Sequence, residues 1–165
     1  MGFEIERKFL VCGDGWRDLT TDRTHIRQAY LASNDKASVR VRIKDNSRAT
    51  LTIKSRGAEL RRLELEYPVP TLEAESLISL RSGSVIEKAR HIVPYKGVTW
   101  EIDVFAGENE GLVIAEIELL DEHQRVELPA WTGAEVTGQA QYYNSSLAQR
   151  PFGSWAAVVP ARARR

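Results

Sequence analysis

The feature that most constrains this chain is an alternation of apolar and charged residues, renewed stretch after stretch along its length. From Phe3 to Val11, Phe3, Ile5, Phe9 and Val11 oppose Glu4, Glu6 and Lys8. Val39, Val41 and Ile43 oppose Arg40, Arg42 and Lys44, and Ala49, Leu51 and Ile53 oppose Thr50, Thr52 and Lys54. Leu63, Leu65 and Tyr67 oppose Arg62, Glu64 and Glu66, and between Val85 and Val93 the cations Lys88 and Arg90 share a face. Trp100, Ile102 and Val104 oppose Glu101 and Asp103, and Val113, Ala115, Ile117 and Leu119 oppose Glu116 and Glu118. A period of two belongs to strands with one dry face, because successive side chains leave a strand on opposite sides.

Helical signals are few. Pro68 and Pro70 end a strand, since proline cannot donate to the ladder. The stretch Thr71 to Leu80 predicts a helix, with Thr71 suited to the N-cap and Glu73 and Glu75 to its first turns. A short helix near Asp14 to Leu19, a strand over His25 to Leu31 and a helix over about 139–149 account for most of the remainder, and 161–165 is a basic end. About eight strands with short turns predict one α+β domain over 1–165, built as a closed antiparallel barrel or a sandwich.

The alternate positions are mostly pairs of like charge: Glu4 with Glu6, Arg40 with Arg42, Glu64 with Glu66, Lys88 with Arg90, Glu116 with Glu118. Like charges two apart on one strand face repel, and a sheet built for stability alone gains nothing from them. Burying an ion without water costs several kcal/mol, against a total domain stability of about 5–15 kcal/mol. So many charges cannot fill a dry core. They face bulk water, or they line a wet cavity that holds ions; the alternation itself leaves both open.

Composition excludes several classes. The 165 residues carry 23 basic and 23 acidic side chains, so the chain has no net pull toward nucleic acid or an anionic membrane. Cys12, a small residue ending an apolar strand, is the sole cysteine, which excludes an intrachain disulfide and a cysteine-based zinc site. His25, His91 and His123 are scattered without metal-ligand spacing, and no tryptophan interleaves with a basic patch. There is no P-loop, dinucleotide-binding glycine fingerprint or nucleophile elbow. The first residues carry charge where a secretion signal needs an apolar run, and no stretch approaches the ~20 apolar residues of a membrane span. The expectation is a cytoplasmic protein, monomer or homodimer, with neither nucleic acid nor membrane as partner.

Carboxylates two apart on a strand project the same way within about 7 Å, an arrangement that suits hard cations such as Mg²⁺ or Mn²⁺. Paired guanidinium and ammonium groups suit a chain of phosphates. Opposed acidic and basic walls therefore fit a metal–polyphosphate substrate, whose reaction needs chiefly positioning, charge neutralisation and an oriented nucleophile.

The opening Glu4-Ile5-Glu6-Arg7-Lys8-Phe9-Leu10-Val11 resembles the Glu-x-Glu-x-Lys signature of the CYTH superfamily, the triphosphate tunnel metalloenzymes. The resemblance continues in family order through Val39 to Arg42, Leu51 to Lys54, Arg62 to Glu66, Ile86 to Arg90, Trp100 to Asp103, Ala115 to Leu119, Glu135 to Gly138 and Tyr143-Asn144. It implies an eight-stranded antiparallel closed barrel with a hydrophilic tunnel and a few peripheral helices. Carried onto these positions, it implies that Lys8, Arg40, Arg42, Lys54, Lys88 and Arg90 bind a triphosphate, helped by Arg62. Glu4, Glu6, Asp103, Glu116 and Glu118 would hold divalent metal, two ions of Mg²⁺ or Mn²⁺, while Glu64 and Glu66 face the same tunnel and position water or basic side chains. Glu4, Glu6, Lys8, Glu64, Glu66, Glu116 and Glu118 are thus the catalytic candidates. The implied activity is metal-dependent removal of the terminal phosphate of a triphosphate, with inorganic tripolyphosphate the leading substrate. The alternatives are a class IV-type adenylate cyclase, or a polyphosphate- or nucleotide-binding protein without turnover. The chain departs from its relatives at Gln139-Ala140-Gln141, where many carry an Asp and a basic residue, which bears on how the C-terminal helix closes the tunnel.

Overall fold

Each alternating stretch becomes a strand. The computed structural model describes residues 2–57 and 61–155; the basic end at 161–165 lies outside them. The strands are β1 (Gly2–Val11), β2 (Asp22–Ser33), β3 (Ala37–Lys44), β4 (Arg48–Ser55), β5 (Arg61–Val69), β6 (Ser82–Tyr95), β7 (Val98–Phe105), β8 (Val113–Glu118) and β9 (Thr132–Glu135). All neighbours run antiparallel, in the order β5-β4-β3-β2-β6-β7-β8-β1, and β1 then pairs with β5 from Gly2↔Glu64 to Ile5↔Arg61. That last pairing closes an eight-stranded barrel. β9 is an extra strand on the far half of β1, pairing Phe9 with Glu135.

Turn chemistry helps fix the register. Lys96 and Gly97 join β6 to β7 with φ of 47° and 82°, the two positive values of a type I′ hairpin turn. Tyr95↔Val98 is accordingly the pair next to the turn, and Arg90 faces Asp103 across the same ladder.

The dry faces lie outside. Ala29, Val41, Ile43 and Ala49 on the outer surface of β2–β4 pack under Ala74 and Ile78 of α1 (Thr71–Ile78). This helix starts one position earlier than the sequence predicts: Pro70, in extended conformation, is the cap residue and Thr71 is already helical. A second outer cluster gathers Phe9, Val93, Trp100, Ile102, Ala115 and Ile117 beneath Trp16, Leu119 and Trp131. Trp16 precedes a single 3₁₀ turn, Arg17–Leu19, which stands where the sequence predicts a short helix.

Inside, the inward stripe changes character toward one end. Two residues beyond Lys8, Lys88, Asp103 and Glu116 come Leu10, Ile86, Phe105 and Ile114, all buried and apolar. They pack on Tyr142, Leu147 and Phe152 from the C-terminal segment, which fills that end of the barrel. The segment is broken where the sequence predicts one helix over about 139–149. A 3₁₀ turn (Ala140–Tyr142) is followed by extended Tyr143 and then by α2 (Asn144–Gln149) and α3 (Phe152–Trp155). Gly83 lets α2 approach β6: its φ is +79°, and a Cβ there would stand 2.5 Å from the Ala148 carbonyl oxygen. Among the described residues no helix is long and apolar enough to cross a membrane.

Candidate active site

Barrel closure, rather than proximity in the chain, gathers the charges by sign. Around the barrel β8, β1 and β5 are consecutive, so Glu118 and Glu116 stand beside Glu6 and Lys8, and Glu4 stands beside Arg62. The opposite wall is β4-β3-β2-β6, which carries Lys54, Arg40, Arg42, Lys88 and Arg90. Together they line one cavity of about 260 Å³. Glu4, Glu6, Lys8, Arg40, Arg42, Lys54, Arg62, Glu64, Glu66, Lys88, Arg90, Glu116 and Glu118 all face it.

Asp103 does not line this cavity. Arg90 grips both its carboxylate oxygens, at 2.8 and 2.9 Å, and Lys88 Nζ stands 2.7 Å from Oδ2. Burial alone would raise this carboxyl, but Arg90 and Lys88 hold it well below the usual range. Its place is beneath the basic wall, as counter-ion to two cations that reach the cavity. Alternation in the sequence reveals which face a residue takes, not how deep it lies.

In the acidic half the carboxylates crowd one another. Burial, and after it the charge on Glu116, pushes Glu6 up to about 8. Burial likewise raises Glu4 and Glu118. Glu116 is the exception: against burial, Lys8 and Arg90 draw it down to about 2, with Lys8 Nζ 3.7 Å from Oε1. Lys54 lies among the acids, paired with Glu4 and standing 3.8 Å from Glu64 and 4.0 Å from Glu6. The donor set is carboxylate oxygen throughout, the chemistry of a hard-cation site. Among the described residues no three acids stand as a ready-made ion cage; an ammonium holds the space between Glu4, Glu6 and Glu64.

In the basic half, Asp103 balances Lys88 and Arg90 but not their neighbours Arg40 and Arg42. Arg40 is 9% exposed, donates to Thr52 Oγ1 at 3.1 Å and leaves its Nε without a partner. Arg42, 7% exposed, donates through Nε to the neutral Gln28 Oε1 at 2.7 Å. Among the described residues neither guanidinium has a carboxylate partner. Burial, then Arg40 and Arg90, lowers Arg42 to about 9; burial lowers Lys88 to about 7 against the opposing pull of Asp103. Buried cations that repel one another in this way have a charge demand that a multivalent anion would meet.

The matching family model decides the lineage: the CYTH domain covers residues 2–152. The chain belongs to the CYTH family. An inorganic triphosphatase of Acetivibrio thermocellus is 46% identical over 153 residues, 92% of this chain and 97% of that protein. One from Nitrosomonas europaea is 36% identical over 149 residues, 88% of this chain and 96% of the relative. A crystal structure of an inorganic triphosphatase superposes with a TM-score of 0.65 at 34% identity, covering 90% of this chain and 95% of the other.

Several lining residues of this CYTH protein fall outside the candidates drawn from the sequence. Lys44 and Glu101 share the parity of Arg40, Arg42 and Asp103, and that parity was the signal that locates them. Tyr143 takes an Arg62 hydrogen bond at 2.9 Å and stacks under the same guanidinium, while Asn144 meets Lys88 at 2.9 Å. Both arrive from the broken C-terminal segment, whose position no local pattern encodes.

Proposed function

We propose that this protein hydrolyses the terminal phosphate of a triphosphate, with inorganic tripolyphosphate as its substrate. The observation that carries the reading is the pair of buried guanidiniums, Arg40 and Arg42, without carboxylate partners, facing an opposed acidic wall across one cavity. A chain of phosphates supplies the missing negative charge. Lys88 and Arg90, held by Asp103, extend the grip toward the acidic half, and Lys8, Lys54 and Arg62 approach from the other strands. The two relatives named as inorganic triphosphatases support the same reading. The cavity is narrow and lined largely by charged and polar side chains, which favours a bare phosphate chain over one that carries a nucleoside.

Two divalent ions, Mg²⁺ or Mn²⁺, fit the donor chemistry of Glu4, Glu6, Glu116 and Glu118; when bound they supply phosphate charge neutralisation and an acidified water. Asp103, engaged by Arg90 and Lys88, acts here as the anchor of those cations. Glu64, 3.8 Å from Lys54, and Glu66 line the same cavity and position water or basic side chains. A cytoplasmic setting and a small-molecule partner belong to this reading.

Purified protein supplied with Mg²⁺ or Mn²⁺ is expected to release phosphate from tripolyphosphate, leaving pyrophosphate. Glu4→Ala and Lys8→Ala are each expected to lower the rate by at least about a hundredfold. Rates unchanged by both substitutions would refute the assignment. Chromatography of the products from ATP excludes cyclisation if only ADP and phosphate appear.

A further inference from the structure

Gln28 has no part in the chemistry described so far, yet it is fully buried on the inner face of β2, in register with Arg42. Its Oε1 accepts from Arg42 Nε at 2.7 Å, and its Nε2 donates to Asn144 Oδ1 at 3.1 Å and to the Tyr30 hydroxyl at 3.3 Å. Asn144 Oδ1 also accepts from Lys88 Nζ at 2.9 Å. Chemistry fixes the orientation of both amides. A guanidinium and an ammonium have donors and no acceptor, so each must face a carbonyl oxygen. Gln28 therefore turns Oε1 to Arg42 and Nε2 to Asn144, and Asn144 turns Oδ1 to Gln28 and Lys88. Flipping either amide sets N–H against N–H. The Asn144 Nδ2 group is left over, with two protons and no partner among the described residues, on a side chain that lines the same cavity as Arg40, Arg42 and Lys88.

Resting on the triphosphate reading above, we propose that Gln28 and Asn144 form an amide relay between Arg42 and Lys88. In it Gln28 is a positioning residue, and Asn144 presents its Nδ2 protons to a phosphate oxygen. The relay holds two repelling cations at a fixed spacing through neutral groups, so the grip gains a donor without gaining another like charge. It also joins the C-terminal segment to the phosphate site, because Asn144 opens α2 while Tyr142, two residues before it, packs in the closed end of the barrel.

The test uses the full chain, with tripolyphosphate and Mg²⁺ in steady-state kinetics, tripolyphosphate in titration calorimetry, and thermal melts without ligand. Asn144→Asp keeps acceptors for Gln28 and Lys88 and replaces the Nδ2 donors with an anionic oxygen. KM is expected to rise about 10–100-fold, with kcat falling far less. The melting temperature should hold or rise, since Lys88 gains a charged partner; a merely structural role would lower it and leave KM in place. Gln28→Glu retains the acceptor for Arg42 and loses the donor to Asn144, and is expected to raise KM about tenfold without touching substrate. Arg42→Ala is the reference. If it weakens tripolyphosphate binding while Asn144→Asp and Gln28→Glu leave KM within about twofold of the parent, the relay is wrong and the triphosphate reading stands. If the parent protein neither binds nor cleaves tripolyphosphate, both fall.

Discussion

Arg42 and Glu116 carry opposite kinds of work in the proposed site, and their substitutions separate the two. Arg42→Ala removes a contact that ground state and transition state share, so KM for tripolyphosphate is expected to rise about 10–100-fold with a smaller change in kcat. Glu116→Ala removes a carboxylate from the proposed metal wall and is expected to cut kcat by at least about a hundredfold. Steady-state kinetics giving the reverse pattern would exchange the two roles. Asp103 makes a different prediction, about stability. Its carboxyl is held far below its usual range, so its contribution is complete above the ordinary carboxylate pKa and declines as pH falls through the folded value. Asp103→Asn leaves Lys88 and Arg90 without their counter-ion, and should cost about 3–5 kcal/mol in urea unfolding at pH 7. Below about pH 4 that penalty should narrow, because the unfolded parent chain then gains a proton that the variant cannot. The burial of Asp103 also marks a limit of the sequence. Parity correctly put Arg40, Lys88 and Glu116 inside the barrel, but depth depends on which cation reaches a carboxylate first, and that is decided by strands far apart in the chain.

Most elements were legible because their alternation is strong: β1, β3, β4, β5, β7 and β8 lie where the apolar and charged residues interleave. β9 was missed, and with reason. Thr132–Glu135 is four residues long with little apolar content, and it is held by Val136 N–H donating to Lys8 O and by Arg7 bound bidentately to Glu135. Its partners fix it, not its own pattern. The C-terminal segment taught the same lesson. A continuous helix over 139–149 satisfies local propensity, but the barrel end needs Tyr142 and Leu147 inward together, and extended Tyr143 supplies the turn between them. Gly83 is the counterpart on β6. Gly83→Ala forces a side chain into positive φ and against the Ala148 carbonyl, with an expected cost of about 2–4 kcal/mol. Hydrogen exchange should show amides of α2 losing protection while those of β3 and β4 retain theirs; uniform loss would mean that the segment and the barrel unfold as one unit.

At the scale of the molecule, much of the barrel is turned inside out: aromatic and branched residues pack its outer faces under α1 and the Trp16 and Trp131 segments, and charged side chains line the cavity within. Such an arrangement sets function against stability, because a cavity pre-shaped for a polyanion keeps mutually repelling cations partly desolvated until the anion arrives. Arg40 is the clearest case, with its Nε unpaired and no carboxylate at hand. Replacing a buried ion of this kind with a packed apolar side chain tends to stabilise a fold by about 1–4 kcal/mol. Arg40→Met is therefore expected to melt above the parent protein in the absence of ligand, and to bind tripolyphosphate more weakly. The parent, by contrast, should gain about 2.7 kcal/mol at a tripolyphosphate concentration of about a hundred times Kd. For a chain of this size that is a rise of roughly 5–11 °C in Tm. The two proteins should then exchange order as tripolyphosphate is added to a thermal melt. If Arg40→Met melts lower than the parent with and without the anion, the guanidinium holds the barrel together, and the stored repulsion assigned to this wall does not exist.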